Sequence, residues 1–84
     1  MRLDNSSGIF GTLFTGKPEI GVVEALVESG LCQSRREARE RVQGRAVSIR
    51  RRPAKSAKVT DVDHMIRDLP VLLWCGKAAR LIAE

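Results

Sequence analysis

Apolar residues recur at helical spacing shortly after residue 18. Five of them share one face of a helix: Ile20, Val22, Val23, Leu26 and Val27. Pro18 suits the first turn of a helix, and Gly30 suits the position just after the end of one. The pattern therefore predicts a first helix over residues 18–29.

A second, shorter helix is predicted to begin at Ser34 and to end at Gly44. Ser34 and Glu37 have the spacing of a capping box, in which the serine closes the open amides of the first turn and the glutamate reaches back three residues. Glu37 is also placed to pair with Arg41. At roughly 100° per residue, the helix has an apolar, a basic and an acidic sector, formed by Ala38 and Val42, by Arg35, Arg36, Arg39 and Gln43, and by Glu37 and Glu40.

Short strands are predicted for the middle of the chain. Residues 46–49 alternate as a strand does, with Val47 and Ile49 on one face. Residues 58–60 form another short strand in this interpretation, and residues 61–66 form a turn or a single helical turn.

The chain ends in a predicted β-hairpin. Residues 71–75 and 78–83 are β-like runs, and Gly76 with Lys77 fits a two-residue type II′ turn between them. A helix over residues 77–84 is the competing interpretation, because the alanines there are compatible with it.

Residues 1–17 carry three glycines and no clear hydrophobic period. We interpret this segment as a flexible N-terminal arm or linker ahead of a folded domain over residues 18–84. Four apolar residues in it form a possible docking patch, and a disordered tail is the alternative: Ile9, Phe10, Leu13 and Phe14.

Charge is distributed unevenly along the 84 residues. The net charge is +5, yet residues 35–58 hold ten basic side chains and two acidic ones, and the remainder is net acidic. Such a block favours a polyanionic partner over a merely solvated face, since eight of the ten are arginines, whose planar fork suits phosphate. With two phenylalanines, one tryptophan and no tyrosine, base stacking on an aromatic sheet is not expected.

The basic block includes the run RRRPAKSAK at residues 50–58. Pro53 excludes a central strand or a stable helix there. We interpret the run as an exposed loop with five basic side chains, and the alternatives are a nuclear-localisation-like tract or a disordered insertion.

Residues that carry catalysis or bind metal are sparse in this sequence. The single histidine, His64, has no second histidine or cysteine at ligand spacing, and Asp61 and Asp63 beside it suit a turn. Cys32 and Cys75 are predicted to be core residues in a reducing compartment, and Trp74 to be core rather than a stacking platform. We expect no catalytic residue in this segment, no cofactor, no metal and no membrane contact.

The pattern L-x-x-S-R-x-E-A-R, followed by Gly and V-x-I, resembles the RNA-binding module named after small-subunit ribosomal protein S-four. The matching residues are Leu31, Ser34, Arg35, Glu37, Ala38, Arg39, Gly44, Val47 and Ile49. The later segments 58–61, 72–77 and 80–82 resemble most the C-terminal domain of bacterial and mitochondrial tyrosyl-tRNA synthetases, and so does the linker-like stretch 13–16.

Three features depart from the family pattern. Arg45 and Ala46 stand where a Gly-Gly pair is usual, and the arginine-rich run from Arg50 replaces the usual Asn-Gly turn. Alanines follow Gly76-Lys77 where an aromatic residue is common.

The resemblance implies an α+β fold of two helices packed on a small curved, mainly antiparallel sheet. It implies a non-catalytic RNA-binding domain over residues 18–84 that positions tRNA, in the synthetase tyrosine tRNA, with a tyrosine–tRNA ligase as the parent protein. Ribosomal and intron RNA are further possible partners. The predicted RNA-binding residues are Ser34, Arg35, Arg36, Arg39, Gln43, Arg45, Arg50, Arg51, Arg52, Lys55 and Lys58.

Two other functions stay open at this point. A free-standing protein that binds ribosomes or ribosomal RNA would have its natural start at Met1, whereas a synthetase domain would follow a long catalytic region. A protein-interaction module would dock its basic loop on an acidic surface. We expect the chain to lie inside the cell, in the cytoplasm or the mitochondrial matrix.

Overall fold

The computed structural model describes residues 11–50 and 56–84, which form two helices and seven strands. In chain order these are β1 (Thr12–Phe14), β2 (Ile20–Gly21), α1 (Val22–Glu28), α2 (Arg35–Gln43), β3 (Val47–Arg50), β4 (Ala57–Lys58), β5 (Met65–Ile66), β6 (Val71–Cys75) and β7 (Ala78–Ala83).

The strands form two sheets within the described part of the chain. The larger has the order β1-β7-β6-β3-β4, and the smaller pairs β2 with β5. All of these pairings are antiparallel except that of β1 with β7. The predicted α+β class with a mainly antiparallel sheet is confirmed.

The core joins both helices to one face of the larger sheet. Its buried members from the helices are Val22, Val23, Ala25, Leu26, Ala38 and Val42, and those from the larger sheet include Val47, Ile49, Val71, Leu73 and Ile82. Fully burying a side chain such as valine or leucine contributes about 1.5–3 kcal/mol. The two apolar residues of α2 therefore fix which sides of that helix face solvent.

The first helix is shorter than its hydrophobic period predicts. Residues 20–21 form β2 instead, with Ile20 opposite Ile66 and Gly21 opposite Met65. The Val22 amide donates to the His64 carbonyl at 2.9 Å, which ties the start of α1 to the same partner strand. Pairing with a distant segment overrides the helical preference at this end, and for the same reason residues 65–66 are a strand rather than part of a helical turn.

The segment assigned to an arm contributes to the sheet. Residues 12–14 form β1 and run parallel to β7, with Leu13 opposite Ile82. The Thr15 amide also donates to the Ala83 carbonyl at 2.9 Å. The ordered fold therefore begins before residue 18, because β7 offers an edge that residues 12–14 occupy; Ile9 and Phe10 of the predicted patch lie outside the described residues.

The C-terminal hairpin is confirmed. β6 and β7 pair antiparallel around Gly76 and Lys77, so the alternative helix over residues 77–84 is wrong. Gly76 has a φ of +63°, the left-handed region that the first position of a type II′ turn requires.

Candidate nucleic-acid interface

The first turn of α2 is closed by side chains. The Ser34 hydroxyl accepts a hydrogen bond from the Glu37 amide at 3.1 Å, as the capping box predicts. Glu37 in turn accepts from the Gln33 amide at 2.7 Å, one residue before the predicted partner. The helix therefore starts at a defined residue and holds its first arginines at a fixed orientation.

The last turn of α2 ends in a Schellman motif. The Arg45 amide donates to the Val42 carbonyl at 3.1 Å, and the Ala46 amide to the Arg41 carbonyl at 3.0 Å. The left-handed residue of this motif is Arg45, with a φ of +63°, and not the preceding glycine. This conformation costs a non-glycine residue about 1–2 kcal/mol.

Gly44 follows the helix, where a glycine with a positive φ is common, but its own φ is negative. It caps the helix, and a Cβ on it would lie 3.1 Å from the Glu40 carbonyl oxygen. A close backbone approach therefore explains the glycine, whereas the strained conformation falls on an exposed arginine.

One side of α2 carries arginines that have acidic partners. The Nε atom of Arg36 lies 3.6 Å from Oε2 of Glu40, and Nη2 of Arg41 lies 3.5 Å from Oε2 of Glu37. Both pairs have the i,i+4 spacing that stabilises a helix by a few tenths of a kcal/mol, and the second pair is the one predicted from the sequence. We call these four residues the paired flank.

The neighbouring side carries Arg35 and Arg39, which we call the unpaired flank. Both are exposed, and neither forms an ion pair with another residue in ranges 11–50 and 56–84. They are four residues apart, so they repel one another, and Arg35 stands at the positive end of the helix dipole. This arrangement destabilises α2 slightly in the absence of a ligand, and it leaves two guanidinium groups that have no acidic partner among the described residues and could bind an anion.

The unpaired flank borders a groove of about 250 Å³. Its opposite wall comes from β2, from the start of α1 and from the residues just before and within β5. No sequence pattern placed all of those segments beside α2: α1 packs directly on α2, and the pairing of β2 with β5 adds the rest of the wall.

The other predicted residues follow the end of α2. Gln43 and Arg45 are exposed, and Arg50 is exposed at the end of β3. Lys58, in β4, donates from Nζ to the Arg45 carbonyl at 3.1 Å, so the fold joins these two residues across thirteen positions. The predicted contacts Arg51, Arg52 and Lys55 lie outside the described residues.

The family model described as "Tyrosine--tRNA ligase SYY-like C-terminal domain" matches residues 10–72. The chain belongs to this family. The predicted resemblance to the C-terminal domain of tyrosyl-tRNA synthetases is thereby confirmed. The matched residues include all of α2 and extend two residues into β6, so both flanks of the helix lie within the family's domain. A search of curated proteins found no match.

The Cys32 and Cys75 thiols are neighbours in the fold, although they are distant in sequence. Cys32 is buried and its pKa is raised to about 12, first by burial and then by the neighbouring Cys75 thiol. A thiol held protonated in this way is a poor nucleophile. Its amide donates to the Leu26 carbonyl at 3.0 Å, so Cys32 holds the turn that leads into α2.

Among the described residues, no group of three histidine, cysteine, aspartate or glutamate residues is placed to hold a metal ion. None of the described helices has both the length and the apolar character needed to span a bilayer.

Trp74 is only partly buried. It lies in β6 opposite Ser48 of β3, and Ser48 in turn pairs with Lys58 of β4. Cross-strand partners point to the same face of a sheet, so this row lies on the face away from Leu73 and the helices. The prediction that Trp74 belongs to the core therefore holds only in part, since register decides how far it is covered.

Proposed function

We propose that this chain is a non-catalytic domain that binds tRNA for a tyrosyl-tRNA synthetase, with tyrosine tRNA as its partner. The observation that carries the proposal is the unpaired flank of α2 in a chain of this family. Arg35 and Arg39 are exposed on a capped helix, and neither forms an ion pair with an acidic residue of the described chain.

The proposed mechanism is phosphate binding by a rigid helix. An arginine fork donates two parallel hydrogen bonds to a phosphate, and such charge-assisted bonds are about twice as strong as neutral ones. Because Ser34 and the buried Val42 hold both ends of α2, little backbone order has to be gained on binding, and the entropy cost falls on the exposed arginine side chains. Phosphate contacts set position and affinity, while the folded shape of the tRNA provides most of the selectivity.

The rest of the proposed footprint continues from the end of α2. Arg45 and Lys58 are joined by a hydrogen bond, and Arg50 ends the adjacent strand, which leads into the basic run at 51–55. Arg36 and Gln43 would contribute from the rim of the helix. Ser34 and Gly44 would act by positioning the others.

The family also supports a wider proposal. A catalytic domain would precede this chain in the same polypeptide, in the cytoplasm or in a mitochondrial matrix, and would attach tyrosine to the tRNA held here. Ribosomal or intron RNA would then compete poorly with tyrosine tRNA in a filter-binding assay.

The test is a salt titration of the 84-residue chain with a tyrosine tRNA transcript. Each phosphate contact contributes roughly 0.7–0.9 to the slope of log affinity against log salt. The double variant Arg35→Ala/Arg39→Ala is expected to lower the slope by about 1.5. The matched variant Arg36→Ala/Arg41→Ala removes the same charge and is expected to change the slope by less than half as much.

Circular dichroism checks that both double variants keep the fold. Equal slopes for the two variants would remove the assignment of the unpaired flank. A wild-type chain that binds a ribosomal RNA fragment more tightly than tyrosine tRNA would overturn the choice of partner.

A further inference from the structure

The groove beside the unpaired flank has a composition that phosphate binding alone does not explain. Arg35 and Arg39 form one wall, while Met65 and two valines line an apolar part. Two carboxylate residues, Glu24 and Asp63, complete the lining. A site for bare phosphate does not need carboxylates, since they repel it.

We propose that this groove holds one unpaired base of the bound RNA, while Arg35 and Arg39 hold the adjoining phosphates. The inference rests on the proposed function and adds base selectivity to it. Sequence-specific recognition of RNA mainly uses single-stranded loops and bulges, whose bases stack on flat or apolar side chains. The chain has few aromatic residues, so guanidinium planes and apolar side chains would replace them here.

The apolar part of the groove suits the face of a base. Met65 is 40% exposed, although it belongs to a strand that pairs with β2. Its unbranched thioether adapts to a flat partner and interacts favourably with aromatic rings. Val23 and Val62 extend the same wall, and Val23 is buried.

The carboxylates suit the edge of a base. Carboxylate oxygens accept hydrogen bonds from exocyclic amino groups, as in the pairing of Glu or Asp with cytosine N4. Asp63 lies in a turn closed by its own amide, which donates to the Asp61 carboxylate at 2.9 Å, so the backbone that carries the Asp63 carboxylate is held in place. Bases with an amino group are therefore expected to bind better than uracil.

The size of the groove limits the ligand to something small. Sites for drug-sized molecules occupy roughly 300–1,000 Å³, and this groove measures about 250 Å³. One base fits such a space, whereas a stacked pair or an RNA helix does not. The helix would instead lie along α2, outside the groove.

Gly21 provides a variant that narrows the groove gently. A Cβ on Gly21 would lie 3.7 Å from the Met65 sulfur, an ordinary van der Waals contact, and the backbone there is extended with a φ of −66°. Gly21→Ala is therefore expected to fold, and Gly21→Val fills more of the space. Neither changes a charge, so phosphate binding by α2 is preserved.

The experiment follows the methyl group of Met65 in the 84-residue chain labelled with ¹³C-methyl methionine. The chain has two methionines, so Met65→Leu assigns the signal. The probes are AMP, CMP, GMP and UMP, with ribose 5-phosphate as the matched ligand that lacks a base. We expect a saturable upfield shift with the three amino-bearing nucleotides and about tenfold weaker binding of UMP, equivalent to one lost charge-assisted hydrogen bond.

Three results would overturn the inference: no shift with any nucleotide, equal shifts with ribose 5-phosphate, or nucleotide binding that Gly21→Val leaves unchanged. The tRNA salt titration separates this from the proposed function. Tight, salt-dependent tRNA binding without a shift of the Met65 methyl signal would contradict the base site alone. A wild-type chain that does not bind tRNA would contradict both the base site and the proposed function.

Discussion

The two flanks of α2 place the same residue type in opposite situations. On the paired flank, Arg36 and Arg41 each have a glutamate four residues away, at 3.6 and 3.5 Å. On the unpaired flank, Arg35 and Arg39 have each other at that spacing, and no described acidic residue pairs with them. The arginines of the paired flank thus stabilise the helix, whereas those of the unpaired flank destabilise it slightly.

The difference between the two flanks indicates where a ligand is expected. Exposed i,i+4 pairs contribute about 0.3–0.5 kcal/mol to stability, and like charges at that spacing cost a similar amount. Residues kept against a local preference concentrate at functional sites. The unpaired flank, which also borders the groove, is therefore the better candidate for RNA contact.

Charge reversal on each flank of α2 is expected to give the largest difference in tRNA affinity. Arg35→Glu/Arg39→Glu should weaken tRNA binding by 100-fold or more, because two bonds to charged groups are lost at about 1.5–3 kcal/mol each. The matched reversal Arg36→Glu/Arg41→Glu changes net charge equally and should weaken binding by about tenfold or less through the general field. Filter binding at constant salt measures both, and equal losses would erase the distinction between the flanks.

Removal of the cap tests whether the flanks need a fixed helix start. Ser34→Ala should lower the free energy of unfolding by about 1 kcal/mol, since the Glu37 amide loses its partner. Urea denaturation measures the change, with Ser56→Ala at an exposed position outside the helices as the matched serine control. A loss no greater than that of the control would show that the hydroxyl does not secure the first turn.

Relief of strain at Arg45 separates stability from binding. Arg45→Gly removes a left-handed penalty of about 1–2 kcal/mol and adds about 0.4–1 kcal/mol of unfolded-chain entropy, so a net stabilisation of about 0.5 kcal/mol is expected. The tRNA salt slope should fall at the same time. Gly44→Ala, one residue earlier, should destabilise instead, because its Cβ would crowd the Glu40 carbonyl; thermal unfolding with the opposite pattern would contradict this account.

Removing the acidic partner of one arginine on the paired flank is expected to have a small effect on tRNA affinity. Glu40→Gln removes the partner of Arg36 and should cost about 0.3 kcal/mol of stability. Affinity for tRNA should rise about twofold, because Arg36 becomes available and one negative charge disappears. A fall in affinity would mean that the Arg36–Glu40 pair is itself part of the binding surface.

Local features of α2 were predictable from sequence. The capping box, the Glu37–Arg41 pair and the three sectors depend on residues three or four positions apart, which the helix repeat brings together. The C-terminal hairpin was predictable for a similar reason, since Gly76 favours the turn that its two-residue loop needs. The single shift in the cap, from Ser34 to Gln33, is within one residue of the prediction.

Features that depend on distant segments were missed. The pattern over 18–29 carries a helical period, yet residues 20–21 pair with β5 because that pairing satisfies backbone groups at the start of α1. Residues 12–14 have no pattern of their own and become a strand only because β7 offers a free edge. The left-handed residue after α2 falls on Arg45 since the position of the last helical turn, rather than the position of a glycine, decides it.

A capped helix with one basic sector, a Glu37–Arg41 pair, a basic block beside it, a final hairpin and the resemblance to the family all follow from the sequence alone. Each of these depends on neighbours within a few positions or on a short motif. Glu24, Asp63 and Met65 share a groove with Arg35 and Arg39 only in the folded chain. The packing of α1 on α2 and the pairing of β2 with β5 form this groove, and the paired strand residues lie more than forty positions apart, which no local pattern can span.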